Sequence, residues 1–194
     1  MLASPPVATA ISPIMDALYH GHADEALRLA EELGSEKLTI HEAAALGTVA
    51  RIEALLSEDA AAVNAWSPDG FQPLQLAAFF GRREAAALLL ARGGDVNTHA
   101  NNSFKVAALH AALAGPTPDI ARSLIDAGAD VNARQQAGVT PLQEAANNGN
   151  VDLIRLLLER GADPSAKDDQ GQSAADWARK GGHPEVIELL EPAR

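Results

Sequence analysis

The sequence predicts an all-α solenoid of stacked helix-turn-helix units, and three observations carry that prediction. A helix-opening segment recurs, with clear starts at Gln72, Ala107, Thr140 and Ser173, spaced 35, 33 and 33 residues, a period that marks a repeat array. Glycine recurs where the first helix of a unit must stop, at Gly21, Gly47, Gly81, Gly149 and Gly182. A chain leaving a helix often enters a left-handed turn, and glycine does so at no steric cost. Leucine pairs follow at Leu55-Leu56, Leu88-Leu89 and Leu156-Leu157, placed at helical spacing to face the stack.

Each element has a local reason. In Thr140-Pro141 and Ser12-Pro13 a hydroxyl at the N-cap accepts from orphan backbone N–H groups, and proline at the first helical position loses nothing. Gln72-Pro73 keeps only the proline. The inner helices then run through Leu74 to Phe79, Leu109 to Ala114 and Leu142 to Asn147, and the pairs Ala77-Ala78 and Ala145-Ala146 let neighbouring helices approach closely. Leu38-Thr39-Ile40-His41-Glu42 opens an earlier unit and Ser12-Pro13-Ile14 one before it, only 26 residues upstream. That spacing makes the first unit a bare helix pair ending near Gly34, suited to an N-terminal cap. The fourth unit departs most: it opens on Ala107-Ala108, stops at Gly115-Pro116, and follows a loop with two extra residues between Thr98 and Val106. Thr117-Pro118 is expected to cap its outer helix. Glu185, Glu188 and Glu191 give the last outer helix a polar finish. The reading is a tail at 1–11 and six units near 12–37, 38–71, 72–106, 107–139, 140–172 and 173–194.

The clearest copy, Thr140-Pro141-Leu142-Gln143-Glu144-Ala145-Ala146-Asn147-Asn148-Gly149, then Leu156-Leu157 and Gly161-Ala162-Asp163, resembles an ankyrin repeat, whose period is about 33 residues. The resemblance implies that Gly93-Gly94-Asp95-Val96-Asn97, Gly128-Ala129-Asp130-Val131-Asn132 and Gly161-Ala162-Asp163 lead into projecting β-hairpin fingers, turned by Asp69-Gly70, Gly138 and Gly171. It also implies a surface for holding protein partners rather than a catalytic pocket. The abundance of alanine suggests a bacterial source.

Composition narrows the function classes. A net charge of −11 over 194 residues repels phosphate backbones and anionic head groups, so nucleic acid and membrane surfaces are poor partners. With no cysteine, a disulfide framework and thiolate metal sites are excluded. The first basic residue is Arg28, and no apolar run approaches the ~18 residues of a membrane span. These features read as a cytoplasmic protein, monomeric on its own.

Catalytic or metal chemistry would have to begin with the six histidines. By the resemblance His41 and His110 take the family's T-P-L-H position, while His22 and His183 follow turn glycines, all with structural bonds to nearby backbone. His20 and His99 have no ligand partner at i+3 or i+4. His41-Glu42 begins like a zincin helix, but the second ligand position is Ala45. There is no nucleophile elbow, P-loop or dinucleotide fingerprint, and Asp168-Asp169 reads as a solvated pair on a finger. The expectation is no enzyme, no metal and no cofactor. Asn64, Asn97 and Asn132 are expected to hold their turns through side-chain to backbone bonds.

The aromatics point to binding. Five of the seven lie between residues 66 and 104: Trp66, Phe71, Phe79, Phe80 and Phe104. By the resemblance they fall on fingers and at the exposed end of an inner helix, where they would form a contiguous apolar patch unless they pack on one another. Tyr19 takes the equivalent helix position nearer the N-terminus, and Trp177 matches a buried leucine. Lys105, Arg134, Asn147 and Asn148 flank the patch, with Gln135, Gln136, Lys167 and Lys180 beyond. A partner with an apolar spot beside acidic groups would suit that polar, slightly basic end. The expected function is a non-catalytic module binding a protein partner of unknown identity through these residues. The alternative is a regulatory or protective subunit in a stable complex with an enzyme.

Overall fold

The computed structural model describes residues 11–191; the expected tail at 1–11 lies outside these except for Ile11. Twelve α-helices among the described residues run in consecutive pairs. They are α1 (Pro13–Tyr19) with α2 (Ala23–Leu33), α3 (Ile40–Leu46) with α4 (Val49–Glu58), α5 (Pro73–Phe79) with α6 (Arg83–Ala91), α7 (Ala108–Ala114) with α8 (Pro118–Asp126), α9 (Pro141–Asn147) with α10 (Val151–Glu159), and α11 (Ala174–Gly181) with α12 (Pro184–Leu190). The odd-numbered helices pack each on the next, α1 through α11, and the even-numbered helices from α4 to α10 form a second layer. Leu74, Leu89, Leu109, Leu124, Leu142, Ile154 and Leu157 are fully buried between the layers, with alanines Ala43, Ala77, Ala145 and Ala178 where inner helices touch. In each leucine pair the second residue is the more buried; Leu55 and Leu88 are only half-buried.

The helix starts follow the expected capping chemistry. Thr39, Thr140 and Ser173 each close a capping box with the third helical residue, Glu42, Gln143 and Asp176, so two orphan donors are satisfied reciprocally. At Gln72 only the return bond forms, from its N–H to Gln75 Oε1 at 2.9 Å. The second unit opens at Thr39 rather than Leu38, because Thr39 supplies the hydroxyl cap, and the interval to the Gln72 cap becomes 33 residues. His41 is thus the second helical residue, and Glu42 takes the equivalent of Gln75 and Gln143. Thr117 does not cap α8; its hydroxyl donates to Gly81 O at 3.3 Å.

The predicted stop glycines all adopt positive φ, between 69° and 83°. Gly115, the stop of the fourth unit, has φ −81°. Its reason is proximity, since a Cβ there would lie 2.7 Å from the carbonyl oxygens of Ala78 and Phe79.

The connecting loops are tight turns, and no strand occurs among the described residues, which corrects the β-hairpin expectation. Each is closed by two backbone bonds that share one residue: Ser67 N–H to Phe71 O at 2.8 Å with Gly70 N–H to Ser67 O, Gln135 to Val139 at 3.0 Å with Gly138 to Gln135, and Asp168 to Gln172 at 3.0 Å with Gly171 to Asp168, too few for a ladder. Successive tips join instead. Asn101 N–H donates to Gly70 O, Gln136 to Phe104 O and Asp169 to Ala137 O, at 2.8–2.9 Å. At Gly70, with φ 85°, a Cβ would stand 2.5 Å from Asn101 O, so the tip contact requires glycine.

The asparagines act between units rather than within their own turn. Asn64 Nδ2 donates to Gly93 O and Oδ1 accepts from Asp95 N–H; Asn97 bridges in the same way to Gly128 and Asp130, and Asn132 to Gly161 and Asp163, at 2.7–3.1 Å. The spacing of one repeat thereby becomes a hydrogen-bonded ladder along the stack.

Candidate functional site

Inner helices and loops together shape an apolar groove of about 490 Å³. Its walls are Tyr19 of α1, Leu76 and Phe79 of α5, Ala111 and Ala114 of α7, Ile11, and the loop residues Phe71, Phe104 and Val106. Phe79 is 41% exposed and Phe104 56%. Phe80 is half-buried and braces the wall from behind, its ring 5.7 Å from Tyr19 and edge-on to Phe79 at 5.1 Å. The aromatic set therefore divides: Phe71 and Phe80 pack inward, while Phe79 and Phe104 present their rings.

Polar side chains hold these walls in place. Tyr19 OH donates to Asp69 Oδ2 at 2.6 Å and the Ser67 hydroxyl donates to Asp69 Oδ1. Burial, and then the bonded carboxylate, push the Tyr19 hydroxyl well above its ordinary range. Asn102 Nδ2 donates to Asp69 O at 2.9 Å while its Oδ1 accepts from Phe104 N–H at 3.1 Å, which sets the Phe104 backbone over the groove. Gln75 Nε2 spans the longer loop, donating to Thr98 O at 2.8 Å and Val106 O at 3.1 Å. Lys105 takes φ 52°, a left-handed conformation a lysine rarely adopts.

Two titratable groups, His110 in the groove lining and Glu144 bonded to the lining residue Gln135, are shifted towards their neutral forms. His110 is completely buried, and burial pulls it down to about 4, with the Val139 and Ala133 carbonyls offsetting part of that. Those two carbonyls are the backbone partners of the ring, although neither ring nitrogen meets strict hydrogen-bond geometry among the described residues. Burial pushes the Glu144 carboxyl up to about 8, against the opposing bond that Gln135 Nε2 donates to its Oε1 at 2.6 Å. Its Oε2 is buried without a partner among the described residues.

The predicted site residues separate accordingly. Phe71, Phe79 and Phe104 line the groove, and Phe80 supports it. Trp66 is 44% exposed but is not among the lining residues. Lys105 is exposed beside Phe104. Arg134 is exposed and Nη1 donates to Gly138 O at 3.1 Å and Lys167 O at 3.0 Å, tying two loops together. Asn148 Nδ2 donates to Leu113 O at 2.9 Å, joining the end of α9 to α7 at a separate, smaller depression of about 340 Å³. Asn147 is exposed, and its carbonyl oxygen lies 3.0 Å from His183 Nε2. The slightly basic end is largely engaged, since Lys180 donates to Gln172 Oε1 at 2.6 Å and lies 5.6 Å over the Trp177 ring. Trp177 is half-buried rather than core, because its Nε1 donates to Asp168 Oδ2 at 2.9 Å. Asp168 in turn is buried, accepting from Gln170 and Gln172 N–H, and is not the solvated acid expected.

Tyr19, Asp69, Asn102, Val106 and Gln135 also line the groove. The Tyr19 signal was legible, since it stands seven residues after the Ser12 cap as Phe79 does after Gln72. The others depend on contacts between loops of different units.

Of the histidines, His41 Nε2 lies 2.9 Å from Ala65 O, as a structural role requires, and His20 Nδ1 lies 2.8 Å from Asp16 O. His22 is exposed and stacks on His20, with centroids 6.3 Å apart. Among the described residues no three His, Asp or Glu side chains are grouped to hold a metal ion, and no helix is long and apolar enough to cross a membrane.

A family model described as an ankyrin repeat matches residues 69–102, and one described as ankyrin repeats, in three copies, matches residues 108–193. These spans begin at the turn before α5 and end with α12, so they cover the last four helix pairs. Ankyrin repeats generally serve protein–protein interaction and are typically non-catalytic. The capped short helices, the glycine stops, the 33-residue period and these matches converge: the chain belongs to the ankyrin repeat family.

Proposed function

We propose that this chain is a non-catalytic interaction module that works in the cytosol as a monomer and binds one protein partner in the groove between its inner helices and loops. The observation that carries the reading is the exposure of Phe79 and Phe104 on a continuous apolar surface that also includes Phe71, Leu76 and Val106. An apolar surface of this kind is costly to leave in water, and aromatic side chains in such depressions are the usual anchors of protein interfaces. The polar network of Asp69, Gln75 and Asn102 supports it by fixing the anchors before binding, which lowers the ordering cost of association. The test is affinity capture from the native host, identification by mass spectrometry, and nuclear magnetic resonance mapping of the purified pair. Perturbations centred on Phe79, Phe104 and Val106 are expected; perturbations confined to the outer helices would overturn the reading.

A further inference from the structure

The groove has a charge character that its composition conceals. Among the described residues that line it, Asp69 is the only carboxylate, and the two other ionisable side chains are held neutral, Tyr19 because burial and its bond to Asp69 push the hydroxyl up and His110 because burial pulls the ring down. No lysine or arginine lines it. Asp69 Oδ1 and Oδ2 each accept one hydroxyl, and a carboxylate offers about four lone-pair sites, so both oxygens keep capacity for a further donor. The surrounding chain carries a net charge of −11, which raises the local concentration of cationic groups around any apolar opening.

Resting on the proposed binding role, we propose that the groove takes a linear segment of a partner protein whose apolar side chains sit against Phe79 and Phe104 and whose adjacent lysine or arginine reaches Asp69. Apolar contact supplies affinity, and the cation sets orientation, as electrostatic complementarity does at interfaces generally. The groove runs from Tyr19 in the first helix pair to Gln135 in the loop before α9, so it fits a segment of several residues rather than a single side chain. The neutral His110 leaves nothing cationic at the floor to favour an acidic segment. This reverses the charge expected from the basic residues near the C-terminal end, of which Arg134 is bonded to Gly138 O and Lys167 O and Lys180 to Gln172 Oε1.

A displayed library of random 12-residue peptides, selected on the wild-type protein, tests the proposal. The expected result is enrichment of peptides with leucine, isoleucine or an aromatic residue within four positions of lysine or arginine. A synthetic copy of an enriched peptide should weaken about threefold when its cation is changed to glutamine, the scale of a partly exposed ion pair, and should bind less tightly as salt rises. Asp69→Asn should abolish that cation preference while leaving the apolar preference. Because Asp69 also holds Tyr19, the glutamine-substituted peptide on unaltered protein gives the same readout without any risk to folding. Enriched peptides lacking a cation, or carrying acids in its place, overturn the proposal. So does failure to enrich any peptide; if a captured folded partner still maps to Phe79 and Phe104 in that case, the binding role stands and only the linear basic segment falls.

Discussion

Replacing Phe79 by alanine separates an interface anchor from a packing residue. Truncating a fully buried phenylalanine costs about 3–5 kcal/mol. With 41% of Phe79 exposed the loss scales to about 2 kcal/mol, since the removed ring stands at an open wall and leaves no enclosed cavity. Part of that loss is the edge-on contact with Phe80 at 5.1 Å, a pair worth about 0.5–1.5 kcal/mol. The stability change should therefore be moderate rather than negligible, and urea titration followed by circular dichroism reads it. Binding should respond more sharply. Removal of a central aromatic anchor costs about 2 kcal/mol or more, or roughly thirtyfold in affinity, measurable by calorimetry well below the unfolding transition. Trp66→Ala is the control. Trp66 is similarly exposed, at 44%, yet stands off the groove, so its truncation should change affinity by less than about threefold, within the near-neutral class of interface contacts. Unaltered affinity in the Phe79 variant with a large loss of stability would refute the anchor assignment, as would a greater binding loss at Trp66.

Leu89→Ala or Leu157→Ala removes a fully buried side chain from between the layers and should lower stability by about 2–5 kcal/mol in the same titration. Asn132→Ala deletes two bonds to the next unit, to Gly161 O and from Asp163 N–H; it should cost about 1–2 kcal/mol and speed hydrogen exchange at Asp163. Glu144 binds a proton up to about 8 in the native state against an ordinary 4.5, so the folded form holds more protons between those values and stability falls as pH rises through that window. His110, at about 4 against 6.5, has the opposite slope between its two values. Glu144→Gln should abolish the fall between about pH 6.5 and 8, where His110 no longer contributes, as read from urea midpoints at each pH. Deleting residues 172–194 removes α11 and α12 from against α9 and should reduce solubility by uncovering an apolar face; a soluble truncated chain with unchanged melting would contradict that capping role.

The helix openings, glycine stops and leucine pairs were legible in the sequence because each depends on a few consecutive residues. A hydroxyl three residues before Glu or Gln makes a cap wherever it occurs, and Gly47 or Gly149 meets a backbone demand set by its own turn. Thr39 shows the limit, since the pattern opens the unit at Leu38 and only the hydroxyl cap on Glu42 N–H places the start one residue later. The aromatic run between residues 66 and 104 was legible as a run, and Phe71, Phe79 and Phe104 of it line the groove. Arg134 and Asn148 stand where the repeat places them, but they spend hydrogen bonds on Lys167 O and Leu113 O, each more than thirty residues away in sequence.

By itself the sequence determined a solenoid of short capped helices with the ankyrin repeat period. Only the tertiary structure decided which aromatics are presented, that Phe79 and Phe104 line one groove with Tyr19, and that Asp69 is the only carboxylate among the described residues lining it. The physical reason is that capping and turn energies are local, whereas exposure and charge state depend on what neighbouring units place around a side chain. Tyr19 and Asp69 are fifty residues apart in the chain and 2.6 Å apart in the fold, a contact that exists only once the units have stacked.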